Sequence, residues 1–410
     1  MKFMITTALA TLALAAPAVA QKAQPAPAPA QSGGLITHQP KLSGDAGKVI
    51  VELQDAVNKN DTAAIPAKLA AAKAAAKTAD DRYAIGILHL KAANAVKDQA
   101  GMAAGLEEML ASGSVKPEEE LGLYSALGQT YAGLKQWPKA TDAYQHVVKL
   151  NPTSVDAVAG LAEAQISAGQ PAAAVGLLQQ GIKLQQASGQ KAAEAWYKRA
   201  VSIAYEAKLP ATAQLSRDWI AAYPSPDSWR NGIAIYRNLN SPDVEGTLDL
   251  LRLMQANNAL TAAADYNLFA TASAEQLNYN EAQAVLNAGI AAKVVDPASP
   301  LFKDTLAGLK AKKLATEADL VEAAKSAANG MAVLRIGDRY YGMGNYAKAV
   351  ELYRQAMGKP GVDPNIANLH IGMALARSGD KAGATTAFNG VTGPRAEIAK
   401  YWLLYVQSKA

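Results

Sequence analysis

The stretch that decides the fold is Leu121–Pro152, LGLYSALGQTYAGLKQWPKATDAYQHVVKLNP. It places small residues at Gly128 and Ala140 and aromatic rings at Tyr131 and Tyr144. We interpret it as two antiparallel helices that cross at the small side chains, with the rings filling the space on either side of the crossing. The closing Asn-Pro pair ends the second helix and lets the chain turn back.

The same spacing recurs along the chain, which indicates helix hairpins in tandem. A shift of 34 residues brings Ala162 to the place of Gly128, and similar spacings recur in Met331–Met357 and Asn365–Val391. Lys303–Ala328 reads as a further hairpin without this signature. Each hairpin leaves an apolar face that only the next hairpin can cover, so the repeats predict a stacked array.

This spacing resembles the tetratricopeptide repeat (TPR) family. The resemblance implies an all-α fold, a right-handed α-solenoid of about ten TPR-like helix hairpins. The last helix, RAEIAKYWLLYVQS from Arg395 to Ser408, is expected to cap the final open face of the stack. Its adjacent rings Tyr401 and Trp402 leave a rival interpretation open, a homodimer contact with a second copy.

Composition divides the chain into four parts. Residues 1–20 have the basic start, short apolar core and small-residue AVA end of a secretory signal, so we predict cleavage after Ala20. Residues 21–44 are rich in Pro and Ala and are interpreted as a tether. The alternatives are an uncleaved membrane anchor for the first part and a docking peptide for the second. The helical remainder is divided at the YPSPDS break into solenoid segments 45–222 and 223–410.

No motif of catalysis or of cofactor binding is found in the sequence. Cysteine is absent, which excludes disulfides, thiol catalysis and zinc–thiolate sites. None of the four histidines has a second histidine or a cysteine at a metal-ligand spacing. They are His38, His89, His146 and His370. The net charge of +5 is small, and the Lys and Arg residues form no basic run along the sequence. Nucleic acid is therefore not an expected partner. We therefore expect no enzyme activity, no cofactor and no metal.

An exported hairpin array without catalytic chemistry favours protein binding. We expect a non-enzymatic protein–protein interaction scaffold of the bacterial cell envelope, with a protein or peptide bound in the concave solenoid groove. The partner could belong to an outer-membrane or other envelope complex. The alternative is a helper of polysaccharide export or outer-membrane biogenesis, and a remote alternative is an enzyme with an unrecognised site.

The family resemblance also predicts where a partner would lie, because the first helices of TPR hairpins line the concave side. On the 34-residue register, six side chains on that side offer rings and positive charges, the groups that often dominate binding energy. They are Tyr197, Lys198, Tyr205, Arg335, Tyr341 and Arg377. The alternative is that each is an ordinary solvated residue on a large surface. A known TPR clamp for carboxylate termini is not expected, since its Lys and Asn positions are Ser125, Gln129 and Gly160 in the best repeats.

Overall fold

A computed structural model describes residues 36–409, which are helical and contain no strand. Over these residues the helices follow one another as ten successive pairs, nine of them packed as hairpins, and a closing helix, which confirms the predicted all-α helical-repeat solenoid. The predicted signal, the cleavage site and most of the tether lie outside the described residues. Within residues 36–409 no helix combines the length and the apolar composition needed to cross a bilayer.

The chain divides into two compact units between Gln190 and Lys191. The sequence analysis divides the helical part after residue 222 instead, whereas the structure keeps the hairpin at 191–222 with the second unit. Contacts of Tyr223 explain this grouping, since its hydroxyl donates to the backbone oxygen of Ala192 at 2.6 Å. The ring also packs edge-on against Tyr197, with the centroids 5.9 Å apart.

Unit 1 consists, over its described residues, of eight helices joined by short turns. They are α1 (Gly44–Asn58), α2 (Ile65–Ala75), α3 (Ala79–Ala95), α4 (Gln99–Ala111), α5 (Pro117–Gly133), α6 (Trp137–Leu150), α7 (Val155–Ser167) and α8 (Pro171–Ala187). Each odd-numbered helix packs on the even-numbered helix that follows it. Helices α3 and α4 approach most closely at glycines, because a Cβ on Gly105 would lie 2.6 Å from the backbone nitrogen of Leu90.

The end of the predicted tether is docked on unit 1. The backbone nitrogen of Thr37 donates to Glu119 Oε1 at 2.6 Å, and His38 Nδ1 lies 3.0 Å from the same oxygen. Tyr83 donates to the other carboxylate oxygen at 2.9 Å. Burial alone would raise the pKa of Glu119, but amide donors from Lys116 and Thr37 outweigh it and hold that pKa at about 2. Glu119 therefore fixes residues 36–38 against the start of α5.

Unit 2 consists, over its described residues, of thirteen helices and a short 3₁₀ turn at Gly393–Arg395. They are α9 (Glu194–Glu206), α10 (Thr212–Ala222), α11 (Pro226–Asn240), α12 (Val244–Ala256), α13 (Ala263–Glu275), α14 (Tyr279–Ala291), α15 (Pro300–Lys310), α16 (Glu317–Ser326), α17 (Gly330–Gly342), α18 (Tyr346–Met357), α19 (Pro364–Ser378), α20 (Lys381–Asn389) and α21 (Ala396–Ser408). One apolar core runs through the unit from Ile220 to Val406.

The best repeats share one packing device, a glycine that makes room for a ring sixteen residues later in the chain. A Cβ on the glycine would lie 3.0 Å from the ring in the pair Gly128–Tyr144, 2.6 Å in Gly337–Tyr353 and 2.5 Å in Gly372–Phe388. The structure thus confirms that the small residue is required by packing. It adds that the group in contact with it is the ring of the second helix.

One predicted hairpin is splayed. Helices α15 and α16 barely contact each other; α15 packs on α13 and α14, and α16 packs on α17. Helix α14 also contacts α17 directly, at Gly342, where a Cβ would lie 2.7 Å from the Cβ of Glu281. The segment Lys303–Ala328 therefore has two helices but no closed hairpin, in keeping with its missing glycine-and-ring signature.

The closing helix does more than cap the stack. Helix α21 packs on α20, as expected of a cap, and also returns to α10 and α12. Tyr401 donates to the backbone oxygen of Ala213 at 3.4 Å, and Trp402 Nε1 donates to that of Asp249 at 3.2 Å. Both rings have no exposed surface. A homodimer contact through Tyr401 and Trp402 is therefore not supported, since neither ring can reach a second copy.

Candidate functional site

The three predicted contact residues on α9 differ in accessibility. Tyr197 is buried, with 6% of its surface exposed. The Lys198 side chain is half exposed and pairs with Glu194 Oε1 at 3.1 Å. Tyr205 is partly exposed and accepts a hydrogen bond from Asn238 at 3.4 Å. Lys198 and Tyr205 can therefore meet a partner directly, whereas the ring of Tyr197 supports the helix pair from inside.

The other three predicted residues lie on α17 and α19. Tyr341 is 6% exposed, and burial raises the pKa of its hydroxyl far above the ordinary value. Its ring contacts Tyr346, and Arg377 donates to the Tyr346 hydroxyl at 3.2 Å. Arg335 and Arg377 are both partly exposed. That the six residues contact a partner stays a prediction, and burial restricts direct contact to Lys198, Tyr205, Arg335 and Arg377.

The most unusual feature of unit 2 is a buried network of charges centred on His370. His370 Nδ1 lies 2.8 Å from Asp338 Oδ1, and Nε2 lies 3.1 Å from Asp249 Oδ1. All three side chains are buried. Burial alone would lower the pKa of His370, but the two carboxylates outweigh it and raise that pKa to about 10. The ring is therefore an imidazolium between two negative charges.

A fully buried arginine joins the network from α12. Arg252 Nε and Nη2 donate to the two oxygens of Glu281 at 2.8 and 2.9 Å, the fork geometry that favours a bidentate pair. Its Nη1 donates to Asp249 at 3.4 Å. Asn278 also donates to Glu281, at 2.9 Å. These contacts link α12 to α14 and to the turn before it.

The network reaches the surface at the start of α12. Arg335 Nη1 donates to Glu245 Oε1 at 2.8 Å, and Arg395 donates to Asp243 at 2.8 Å. Asp243 also caps α12 by accepting from the backbone nitrogen of Gly246 at 2.8 Å. Burial is the main cause that raises the pKa of Glu245. The ion pairs therefore form a continuous series from the buried imidazolium of His370 to Arg395, the residue before α21.

This network suits charge pairing rather than metal binding. Oxygens of Glu245 and Asp338 and a nitrogen of His370 lie within 4.8 Å of one another, close enough to hold a cation. Both nitrogens of His370 face carboxylates, however, and a charged ring offers no lone pair to a metal. The guanidinium of Arg335 already neutralises Glu245. These charge pairs therefore join helices α12, α17 and α19 to one another.

Sequence reasoning did not find this network. The missed signal is the placement of Glu245, Asp249 and Arg252 at intervals of four and three residues, which puts them on one face of α12. Asp338 and His370 lie 32 residues apart, close to one repeat length, and such residues become neighbours in a stack. Charged residues at positions that face the interior of the stack in adjacent repeats are therefore the sequence feature that indicates such a network.

A groove of about 490 Å³ lies in unit 2 where α16 ends and α17 begins. Arg335 and Arg339 line it from α17, Leu277 from the turn after α13, and Ala327 from the residue after α16. The splay of α15 and α16 leaves this space open. The groove includes one of the predicted contact residues, Arg335, and joins it to groups that the sequence analysis did not single out.

Two stretches of the chain match family models of the tetratricopeptide repeat, residues 131–197 and residues 334–397. No curated protein matches the sequence. Three solved structures resemble the chain at low sequence identity. A tetratricopeptide repeat protein from Parabacteroides merdae ATCC 43184 is 11% identical, covers 80% of this chain and 99% of its own, and has a TM-score of 0.28.

Two further structures are equally remote. The structure of Naa15/Naa10 bound to HypK-THB is 14% identical over 89% of this chain and 59% of that one, with a TM-score of 0.31. The TPR domain of P58(IPK) is 10% identical over 89% of this chain and 98% of that one, with a TM-score of 0.22. Such scores carry no argument of their own. Residues 131–197 and 334–397 therefore carry tetratricopeptide repeats, and the stacked hairpins, with glycine placed sixteen residues before a ring, show a helical-repeat fold of that kind.

Proposed function

We propose that the protein is an exported, non-enzymatic scaffold of the bacterial cell envelope that binds a protein or peptide partner. The repeat matches and the stacked hairpins support a protein–protein interaction scaffold. Repeats of this kind set helices side by side and so create an extended surface, which is what a protein partner needs. This repeat architecture is the observation that carries the proposal.

The burial of the charge network supports a non-enzymatic role. Among the described residues, the densest cluster of acids and histidine is that around His370, where His370 is 1% exposed and Asp249 is 0% exposed. A catalytic acid or base must lie within hydrogen-bond reach of the substrate. A cluster that is sealed by its own helices stabilises the fold and leaves the surface for binding.

Export is proposed from the sequence of residues 1–20 alone. Their basic start, short apolar core and small-residue end are typical of a secretory signal. Export is compatible with the absence of cysteine, because a chain of this length can bury a large core without a disulfide.

Recovery of a partner tests the scaffold role. The tagged full chain would be captured from the cells that produce it, and each enriched protein would be purified and titrated against the purified chain by calorimetry. We expect at least one recovered protein to bind directly. Charge reversal by Lys198→Glu with Arg377→Glu should weaken that binding, whereas Lys303→Glu on the exposed side of α15 should not. If no recovered protein binds the purified chain, the scaffold proposal is wrong.

A further inference from the structure

The groove between α16 and α17 contains an arginine without a partner. Arg339 is partly buried, and no ion pair or side-chain hydrogen bond found for residues 36–409 includes its guanidinium. A partly buried charge is usually paired, because removal from water is costly. Arg339 follows Arg335 by four residues, so both side chains leave α17 on the same face.

Arg335 has donors to spare as well. Its Nη1 donates to Glu245 at 2.8 Å and to Asp338 at 3.3 Å. Over the described part of the chain, its Nε and Nη2 donate to no acceptor. A guanidinium can bind a carboxylate with two parallel N–H bonds, and Nε and Nη2 form one edge of that fork. Two guanidiniums on one wall therefore favour an anionic group with a planar pair of oxygens.

The opposite wall of the groove is largely apolar. Leu277 is 56% exposed although it is one of the larger aliphatic side chains. Its φ of 56° lies in the left-handed region, where a leucine is rare, so the turn holds it in place at some cost. Ala327 continues this apolar surface at the end of α16, and Ile336 adds an apolar side chain from α17 itself. Glu275 is the only acid that lines it within the described residues, against two guanidiniums, of which Arg335 is already paired through Nη1 with Glu245 and Asp338.

We propose that this groove binds a segment of a partner protein that carries an Asp or Glu side chain next to an aliphatic residue. The carboxylate would pair with Arg339 and with the free edge of Arg335, and the aliphatic side chain would cover Leu277. The volume of about 490 Å³ is within the usual range for a binding pocket. Residues 1–35 contain no Asp or Glu, so this segment cannot supply the side-chain carboxylate. The inference rests on the proposed scaffold role.

Two matched peptides test the proposal. The probes are acetylated and amidated octapeptides, Gly-Ser-Leu-Glu-Leu-Leu-Ser-Gly and the same peptide with Gln in place of Glu, titrated into the full chain by calorimetry. We expect the Glu peptide to bind about tenfold more tightly than the Gln peptide, as a charge-assisted hydrogen bond is worth more than a neutral one. Arg339→Gln should bring the two affinities to the same weak value.

Two further variants distinguish the contribution of the apolar wall of the groove from that of its arginines. Leu277→Asn keeps a residue that tolerates the left-handed backbone and removes the apolar cover, so it should weaken both peptides about equally. Arg354→Gln, on the exposed side of α18, is the matched control and should bind as the unaltered chain does. Circular dichroism and the denaturation midpoint would establish that each variant is folded. Arg335→Gln serves only as a supporting variant because Arg335 also belongs to the buried network.

The outcomes distinguish this inference from the scaffold role. Equal affinity of the unaltered chain for the two peptides, no binding of either at about 1 mM, or a Glu preference that persists in Arg339→Gln would each overturn the groove assignment. A recovered partner that binds Arg339→Gln as tightly as the unaltered chain would also overturn it while leaving the scaffold role intact. Self-association that depends on Arg339 would instead name a second copy as the occupant and overturn the proposal.

Discussion

At the residue scale, the repeat depends on a missing side chain. Glycine in a helix is unfavourable by about 1 kcal/mol relative to alanine, so a helical glycine needs a packing reason. At Gly372 that reason is the ring of Phe388, which a Cβ would approach to 2.5 Å. Gly308 on α15 has no such neighbour, since no atom lies within 4 Å of its Cβ position. The two glycines therefore predict opposite effects of the same substitution.

Alanine at these two positions gives the first prediction. Gly372→Ala should lower the free energy of unfolding by about 1–3 kcal/mol, because the ring of Phe388 must move. Gly308→Ala should raise it by about 0.5–1 kcal/mol, since alanine is the better helix former and meets open space. Denaturant unfolding followed by circular dichroism measures both. Stabilisation by Gly372→Ala would show that the glycine-and-ring contact is not tight.

The buried imidazolium gives a prediction on pH. The pKa of His370 is raised from 6.5 to about 10 in the folded chain, so the folded state holds a proton that the unfolded state releases. The stabilisation by His370 is therefore complete below about pH 6.5 and is lost as the pH rises toward 10. His370→Gln should remove this part of the decline in unfolding free energy between pH 7 and pH 10. His146→Gln, which alters a ring stacked on Tyr124, is the control and should keep the decline.

The groups around His370 do not reverse this sign. Asp338 faces it from α17 and Asp249 from α12, and both carboxylates favour the charged ring. Tyr353 packs edge-on against the imidazole from α18, and burial raises the pKa of its hydroxyl well above the ordinary value. Arg252 and Arg335 stay charged over the whole range. An unaltered decline in His370→Gln would mean that other groups cause it.

At the element scale, α15 and α16 contribute few side chains to the core of unit 2. Phe302, Leu309 and Leu320 are the buried apolar side chains of the pair within the described residues. Few buried contacts mean a low free energy of local opening. We predict that amides in α15 and α16 exchange with deuterium at least about tenfold faster than those in α17, measured by mass spectrometry of the full chain. Equal protection of the three helices would contradict this.

The sequence allowed some elements to be predicted and not others, for physical reasons. The hairpins at Leu121–Pro152 and Asn365–Val391 were predictable because small residues and rings recur at a fixed spacing, and packing requires that spacing. The separation of α15 from α16 was not predictable, because no local sequence pattern indicates which neighbouring helix each of them packs against. The docking of Thr37 on Glu119 was not predictable either, because a short backbone segment held by hydrogen bonds leaves no periodic pattern in the sequence.

The candidate site was predicted only in part. Arg335 was predicted from its register position to face the concave groove, and the structure places its side chain in the lining of the groove between α16 and α17. Tyr341 was placed on an open surface by the same register, but α12 brings the guanidinium of Arg252 over its ring at 4.9 Å. A repeat register gives the face on which a side chain lies within its own hairpin. It does not show that a distant part of the chain will cover that face.

At the scale of the whole molecule, export is the broadest prediction. If residues 1–20 are a secretory signal, the mature chain begins at Gln21. Intact-mass spectrometry of the protein recovered from its native cells would show the loss of Met1 to Ala20. Replacement of Ala18 and Ala20 by leucine should block the cut, because the signal peptidase requires small residues there. Retention of Met1 to Ala20 in the unaltered chain would make the export proposal wrong.

The closure of unit 2 by α21 gives the last prediction. In an open repeat array each repeat is stabilised mainly by its neighbours, so a defect in the last helix should stay local. Here Trp402 donates to Asp249 on α12, more than 150 residues earlier, and Arg395 pairs with Asp243 at the start of the same helix. Trp402→Ala should therefore lower the unfolding free energy of unit 2 by about 3–5 kcal/mol, the usual cost of removing a buried tryptophan.

The location of the effect is decisive for this variant. Hydrogen exchange in Trp402→Ala should rise in α12 as well as in α20, because both helices lose the ring that covers them. Leu403→Ala is the control, since this neighbour on α21 is only partly buried and should cost less. If Trp402→Ala accelerated exchange in α20 and α21 alone, α21 would be a simple cap. Acceleration in α12 would instead show that α21 stabilises α12 and with it the part of the charge network that α12 carries.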